Sequence, residues 1–88
     1  QGEPVKARLR FAPAASRWVR EAHFHDSQRL AELPDGELMF EVTVQGTREI
    51  TRWILGYGAD VEVLEPPEVR QTVTAAARRM AGMYDTPG

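Results

Sequence analysis

The chain has 88 residues, a formal net charge of −2 and 42% hydrophobic residues. This length fits one small domain, the hydrophobic content excludes a disordered chain, and the charge gives no general reason to expect nucleic-acid or membrane binding. The absence of cysteine excludes disulfides and thiolate zinc sites and fits a cytoplasmic protein. We expect no membrane contact, since no apolar run approaches the roughly 18 residues of a span.

The first predicted elements are a strand and a helix. Val5 to Phe11 alternates apolar and basic residues, which is typical of a half-buried strand. Pro13 then suits the first position of a helix, where its missing N–H is not needed. The helix carries an apolar stripe at helical spacing, and we expect its tryptophan to be a core anchor. The stripe residues are Ala15, Trp18, Val19 and Ala22.

A hairpin is predicted after this helix. Residues 28–33 read as the second strand, and Pro34-Asp35-Gly36 is a strong tight-turn signal because proline presets φ and glycine accepts a positive φ. Residues 37–44 read as the third strand, with apolar side chains on alternate positions. We expect those alternate positions to face a core.

The second half repeats the pattern of helix and strand. A helix is predicted to begin after Thr47, with Trp53 as a second core anchor, and to end at Gly58. The segment Gly56-Tyr57-Gly58 is punctuation and not a phosphate loop, because it follows a helix, whose carbonyl end repels phosphate. Residues 60–64 form the fourth predicted strand, and a third helix begins near Pro67.

The order βαββαβα predicts an α+β fold, a ferredoxin-like sandwich with an additional C-terminal helix. We expect one domain over residues 5–84 between short tails at 1–4 and 85–88, and the ragged start suggests a segment of a longer protein. The sheet order should be 4-1-3-2, with two helices on one face. One core should hold the large apolar residues Phe11, Trp18, Phe40, Trp53 and Ile54.

Basic residues on the first strand form a candidate binding surface. Lys6, Arg8 and Arg10 should face away from the core, beside Glu41 on a neighbouring strand. Two guanidinium groups on an open sheet face suit bidentate recognition of phosphate or carboxylate. The alternative is that the two arginines are satisfied by Glu41 and Glu62 on adjacent strands. The sequence leaves both interpretations open.

A polar connector supplies further candidates. His23 and His25 lie two residues apart and could point the same way as metal ligands, but no third ligand is evident nearby, so we expect no metal. Arg29 could extend the basic surface.

Two known functions of this fold are excluded by the sequence. An RNA-recognition motif stacks bases on exposed aromatics of its central strands, whereas Phe11 and Phe40 share the core-facing parity of their strands. The stretch "VQGTRE" at 44–49 is similar to the acylphosphatase loop, but it follows the third strand, and the chain lacks the asparagine that orients the attacking water in that family. We expect no catalysis and no cofactor.

Four blocks of sequence in order resemble the C-terminal extension, or WCX domain, of WYL-domain transcriptional regulators. The blocks are "ARLRFAPAASRWVRE", "HFHDSQRLAELPDGELMFEVTV", "ITRWILGYGADVEVLEPPEVR" and "AAARRMAGMY". The resemblance covers about residues 5–84. Members usually carry a Trp-His-Pro-Ser-Gln-like block, and this chain has Phe-His-Asp-Ser-Gln at 24–28. The resemblance leaves the fold expectation intact across those two replacements. It implies effector or interdomain contacts by His25, Ser27 and Gln28 of this block.

The resemblance implies a bacterial regulator with an N-terminal winged helix-turn-helix, a central WYL barrel and this module. It implies a domain for effector sensing, dimerisation or both, with the WYL barrel and a second copy as partners. The resemblance implies single-stranded nucleic acid as the effector, and the arginines of the first strand add a small anion as another candidate. Operator DNA would be bound only through the missing N-terminal domain. The alternatives are a free-standing small-molecule-binding module and a purely structural dimerisation unit.

The third helix is expected to find a partner. Its apolar stripe follows two helices that already cover the inner face of the sheet, so a second copy or another domain should cover it. The stripe residues are Val69, Val73, Ala76, Met80 and Met83.

Overall fold

The computed structural model describes residues 3–85, which form four strands, three α-helices and two short 3₁₀ turns. The elements are β1 Pro4–Phe11, α1 Pro13–Glu21, β2 Arg29–Glu32, β3 Leu38–Gln45, α2 Arg48–Tyr57, β4 Val61–Glu65 and α3 Pro67–Tyr84. Each begins and ends within about two residues of its predicted bounds. Of the predicted tails, residues 1–2 and 86–88 lie outside the described residues.

The strands form one antiparallel sheet in the order β2-β3-β1-β4, which is the predicted order. The fold is therefore α+β and ferredoxin-like with a C-terminal helix, as predicted. In the register, Leu9 lies opposite Phe40 and Arg8 lies opposite Glu41. The β1–β4 pairing shifts register between Arg8 and Leu9. The central pair of strands thus presents one apolar face and one charged face.

The core lies between the apolar sheet face and the helices. Leu9, Phe11 and Phe40 are completely buried, and α2 adds Ile50 and Ile54. Aromatic rings extend this core toward the surface through Trp53, which is half-buried. Its ring centroid lies 4.7 Å from Phe24, 5.1 Å from Phe40, 5.2 Å from Tyr57 and 5.8 Å from Phe11. Trp53 is a core anchor, as predicted.

The predicted core position of Trp18 is wrong. Its side chain is 60% exposed, and the Arg17 guanidinium lies 5.4 Å from its ring centroid. The buried face of α1 instead contains Ala15, Val19 and Ser16. Ser16 lies roughly 200° around the helix from Trp18, and its hydroxyl donates to the Gly36 carbonyl at 2.8 Å. The helix therefore buries Ser16, whose hydroxyl is hydrogen-bonded, and leaves Trp18 exposed, although the apolar spacing predicted Trp18 as the buried residue.

Positive backbone φ angles explain two of the turn signals. Asp35 and Gly36 have φ values of 65° and 84° in the turn between β2 and β3. Gly58 has a φ of 60° and ends α2, with its N–H bonded to the Leu55 carbonyl. This confirms that the segment Gly56-Tyr57-Gly58 ends the helix, with Gly58 as its cap.

The third helix is covered only near its beginning. Val69 is buried and Val73 is half-buried, whereas Met80, Met83 and Tyr84 are 47%, 63% and 83% exposed. A groove of about 430 Å³ lies between β4 and the middle of α3, from Arg70 to Ala81. Within residues 3–85, no helix has the length and apolarity needed to cross a membrane.

Candidate functional site

The charged face of the sheet is built by strand alternation. Lys6, Arg8 and Arg10 project from β1 because the residues between them point into the core. Arg29 lies opposite Glu41 on the edge strand β2. We use the name charged face for these five residues and Glu62 and Glu65 of β4, namely Lys6, Arg8, Arg10, Arg29, Glu41, Glu62 and Glu65.

Arg8 lies between two carboxylates at the centre of the charged face. Its Nε is 3.0 Å from Glu41 Oε2, and its Nη1 is 3.6 Å from a Glu65 oxygen. The Nε atom is sealed from solvent yet forms no hydrogen bond, so its contact with Glu41 has ion-pair distance without hydrogen-bond alignment. Lys6 Nζ lies 3.9 Å from the other oxygen of Glu41. One carboxylate thus serves two cations.

Arg10 forms a separate pair at the far end of β1. Its Nη2 donates to Glu62 Oε1 on β4. The side chains of both residues are nearly half exposed, so solvent screens the pair. The predicted pairing of the two arginines with Glu41 and Glu62 is therefore present, and Glu65 is an additional partner.

Gln28 organises the loop between α1 and β2. Its side-chain oxygen accepts hydrogen bonds from the backbone N–H groups of Phe24 at 2.7 Å and His25 at 3.1 Å. Its amide nitrogen donates to the carbonyl of Ala22 at 3.0 Å. The amide of Gln28 thus satisfies three backbone groups that no strand or helix satisfies. It positions the loop.

Ser27 extends the pairing of β2 with β3 through its side chain. Its hydroxyl accepts from the Thr43 N–H at 2.8 Å and donates to the Thr43 carbonyl at 3.0 Å. The Ser27 N–H donates to His25 Nδ1 at 3.0 Å. The Ser27 hydroxyl also lies 2.9 Å from the same Nδ1, and which of these two atoms donates depends on the tautomer of the imidazole.

A surface groove of about 420 Å³ lies where this loop meets the sheet. It combines cations, carboxylates and hydroxyls within one polar surface. Its lining residues are Lys6, Asp26, Ser27, Gln28, Arg29, Glu41, Val42 and Thr43. We call it the β2–β3 groove.

The structure brings together only part of the predicted site. Ser27, Gln28 and Arg29 line the β2–β3 groove. His25 instead lines a smaller pocket of about 170 Å³ beside the start of α2, and Arg10 borders a third, of about 150 Å³, at the far end of the sheet. Arg8 lies on the charged face without lining the groove.

Lys6, Glu41 and Thr43 are groove residues that sequence reasoning did not select as site residues. Their strand parity already placed them on the open face. Only the hydrogen bonds of Ser27 to Thr43 show that the loop ends beside them.

Two other side-chain environments are electrostatically distinct. Arg20 donates two hydrogen bonds to the carboxylate of Glu32, at 2.9 and 2.6 Å. This hydrogen-bonded pairing lowers the pKa of Glu32 and raises the pKa of Arg20. Burial raises the pKa of the Tyr57 phenol above its usual 10.0. None of these groups lies in the β2–β3 groove.

The two histidines do not form a metal centre with neighbouring ligands. His23 Nε2 lies 2.9 Å from Asp26 Oδ1, and both side chains are exposed. Among residues 3–85, no three histidine, aspartate or glutamate side chains converge as a metal site would require.

These features define a small ferredoxin-like domain with a charged open face, and comparison with known proteins assigns its family. The WCX domain family matches residues 3–81. The chain belongs to this family, which confirms the resemblance of its sequence blocks.

A curated relative supports the family, and a solved structure supports the fold. The protein PafC of Mycobacterium tuberculosis is 38% identical to this chain over 78 residues, in strain CDC 1551 / Oshkosh and in strain ATCC 25618 / H37Rv. The match covers 89% of this chain but only 24% of PafC, so the chain spans about a quarter of that relative's length. The structure of proteasome accessory factor B/C (PafBC) of Arthrobacter aurescens has a similar fold, with a TM-score of 0.75 at 24% identity. That similarity covers 98% of this chain and 13% of PafBC.

Proposed function

We propose that this chain is a non-catalytic regulatory domain of a WYL-family transcriptional regulator. Membership of the WCX family is the observation that carries this proposal. The domain would receive an effector on its charged face and would contact a WYL barrel or a second copy through α3. Operator binding would belong to another part of the regulator.

The effector role is supported by the arrangement of charges beside the β2–β3 groove. Lys6, Arg8 and Arg29 surround the single carboxylate of Glu41. The side chains of Lys6, Arg8 and Glu41 are partly exposed, and ion pairs that solvent screens contribute about 0–1 kcal/mol, so an incoming anion can replace the carboxylate at little cost. His25, Ser27 and Gln28 would contribute through the shape of the adjoining loop, and Arg10 would extend the surface. Single-stranded nucleic acid and a small anion are the two effector classes that this surface suits.

A double substitution, Arg8→Ala with Arg10→Ala, tests this role in the parent regulator. We expect weaker binding of a single-stranded oligonucleotide or of inorganic phosphate, and a difference from wild type that diminishes at high salt, because the lost interactions are charge-based. A matched control replaces Arg78 and Arg79, on α3, with alanine. Unaltered affinity in a well-folded Arg8/Arg10 variant would exclude the effector surface.

Dimerisation is the second candidate function, and the exposed end of α3 favours it. Met80, Met83 and Tyr84 leave much of their apolar surface exposed, and exposed apolar patches mark contacts between proteins. Sedimentation of wild type and of Met83→Glu, with Met39→Glu on the sheet as a control, would test it. We expect the α3 substitution alone to shift the chain toward monomer. A wild-type chain that is monomeric at high concentration would contradict self-association.

A further inference from the structure

We propose that the β2–β3 groove binds a small zwitterion, a molecule with one carboxylate and one ammonium group such as a free α-amino acid. This inference rests on the proposed effector role and concerns the groove alone, where the ligand would be a zwitterion, whereas a simple anion would bind on the wider charged face around Arg8 and Arg10. The proposal depends on two observations: cationic and anionic side chains line the same groove, and they form only weak ion pairs with one another.

Two cations of the groove are available to a carboxylate. Within residues 3–85, Arg29 forms no ion pair, although it lies opposite Glu41 in the register. Lys6 is held only by the 3.9 Å contact with the same glutamate, whose other oxygen is taken by Arg8. The guanidinium of Arg29 can therefore hold a ligand carboxylate in the bidentate geometry that arginine favours, with Lys6 as a second cation.

The same groove disfavours a simple anion. Glu41 and Asp26 also line it, so a carboxylate bound to Arg29 would lie near two like charges. An ammonium group on the same ligand converts that repulsion into attraction, because it can contact the Glu41 oxygen that Lys6 holds loosely. The four charged lining residues are two cations and two anions, so the groove offers a partner of each sign to a zwitterion.

The size and floor of the groove fit a ligand of this kind. Its volume of about 420 Å³ falls in the usual range for small-molecule sites, roughly 300–1,000 Å³. The hydroxyl of Ser27 is already committed to the backbone of Thr43. Thr43 is exposed on the open face, opposite Lys6 and two residues along β3 from Glu41, and its side-chain hydroxyl can complete the contacts to the ligand.

Titration of the chain with L-alanine, propionate and ethylamine, followed by heteronuclear NMR, tests the proposal. Propionate lacks the ammonium group of alanine, and ethylamine lacks its carboxylate. We expect L-alanine to shift the amide signals of Ser27, Arg29 and Thr43 with a dissociation constant of about 1 mM. Propionate and ethylamine should each bind at least about tenfold more weakly.

Substitutions then locate the binding. Arg29→Gln should weaken L-alanine binding about tenfold, because it removes a charged hydrogen-bond donor. Arg79→Gln, an equivalent change on α3, should leave it unaltered, and the spectrum reports the fold of each variant. Unchanged alanine binding in Arg29→Gln would overturn the assignment to this groove.

The experiments can refute the proposed ligand class and the proposed effector role separately. If propionate binds as tightly as L-alanine and depends on Arg29, the zwitterion is wrong while an effector site at the groove stands. If none of the three probes shifts these signals, the zwitterion proposal is overturned, and binding of an oligonucleotide that depends on Arg8 and Arg10 would still support the effector role.

Discussion

Replacing Gln28 with alanine should destabilise the domain through the loop between α1 and β2. The wild-type side chain accepts from the N–H groups of Phe24 and His25 and donates to the carbonyl of Ala22. Alanine leaves all three backbone groups without these partners. Two of the three bonds are partly buried with the rest of the Gln28 side chain, so water replaces them incompletely.

The expected loss follows from the number of bonds. A neutral hydrogen bond contributes a net 0.5–1.5 kcal/mol, so three of them predict a loss of about 2–3 kcal/mol in the free energy of unfolding. Gln28→Glu keeps the acceptor but replaces the donor that faces the Ala22 carbonyl with a charged oxygen. We expect the free energy of unfolding of Gln28→Glu to lie between those of wild type and Gln28→Ala.

Urea unfolding followed by circular dichroism measures these differences. Gln71→Ala is the matched control, because Gln71 is exposed on α3, and it should change stability by less than about 0.5 kcal/mol. A Gln28→Ala loss as small as that of the control would refute the assigned role of Gln28 as the organiser of the loop.

Two further predictions concern aromatic residues. Trp53→Ala should lower the free energy of unfolding by about 3–5 kcal/mol, through lost burial and a cavity. Trp18→Ala should lower it by less than about 1 kcal/mol, because Trp18 is largely exposed. Equal losses of the two variants in chemical denaturation would contradict the core described here. Burial raises the pKa of Tyr57, because it favours the neutral phenol in the folded state. The phenol should therefore contribute its full stabilisation below the ordinary pKa of 10.0 and lose it as the pH rises through the folded-state pKa. Tyr57→Phe should lack that alkaline loss in unfolding measured across this pH range, and an identical decline in both proteins would disprove the assignment.

The fold could be predicted because several local signals agree. The alternation in β1 and β3 assigned both faces of the sheet, and the proline and glycine positions marked where helices begin and end. Trp18 failed because apolar spacing alone cannot show that the helix packs through Ala15, Ser16 and Val19. A hydroxyl that reaches the Gly36 carbonyl made Ser16 a core residue, and that bond depends on tertiary contact.

The candidate site was less predictable from the sequence than the fold. Parity placed Arg8 and Arg10 on the open face, and it placed Glu41 beside them, as the structure has it. Sequence spacing could not show that Ser27 bonds to the backbone of Thr43, because the two residues lie far apart along the chain. That contact brings the loop beside β3 at the β2–β3 groove. It also uses the Ser27 hydroxyl proton, so that this hydroxyl is not free to donate to a ligand.

The stability of an Arg8→Gln/Arg10→Gln double variant most directly tests whether the charged face is a binding surface or part of the framework. The pairs with Glu41, Glu62 and Glu65 are all partly exposed, and surface pairs contribute about 0–1 kcal/mol each. In urea unfolding at moderate salt, we therefore predict a loss of about 1–2 kcal/mol with the cooperative transition retained. A loss above about 4 kcal/mol, typical of a broken buried pair, would show that the arginines hold the sheet together and would contradict the account.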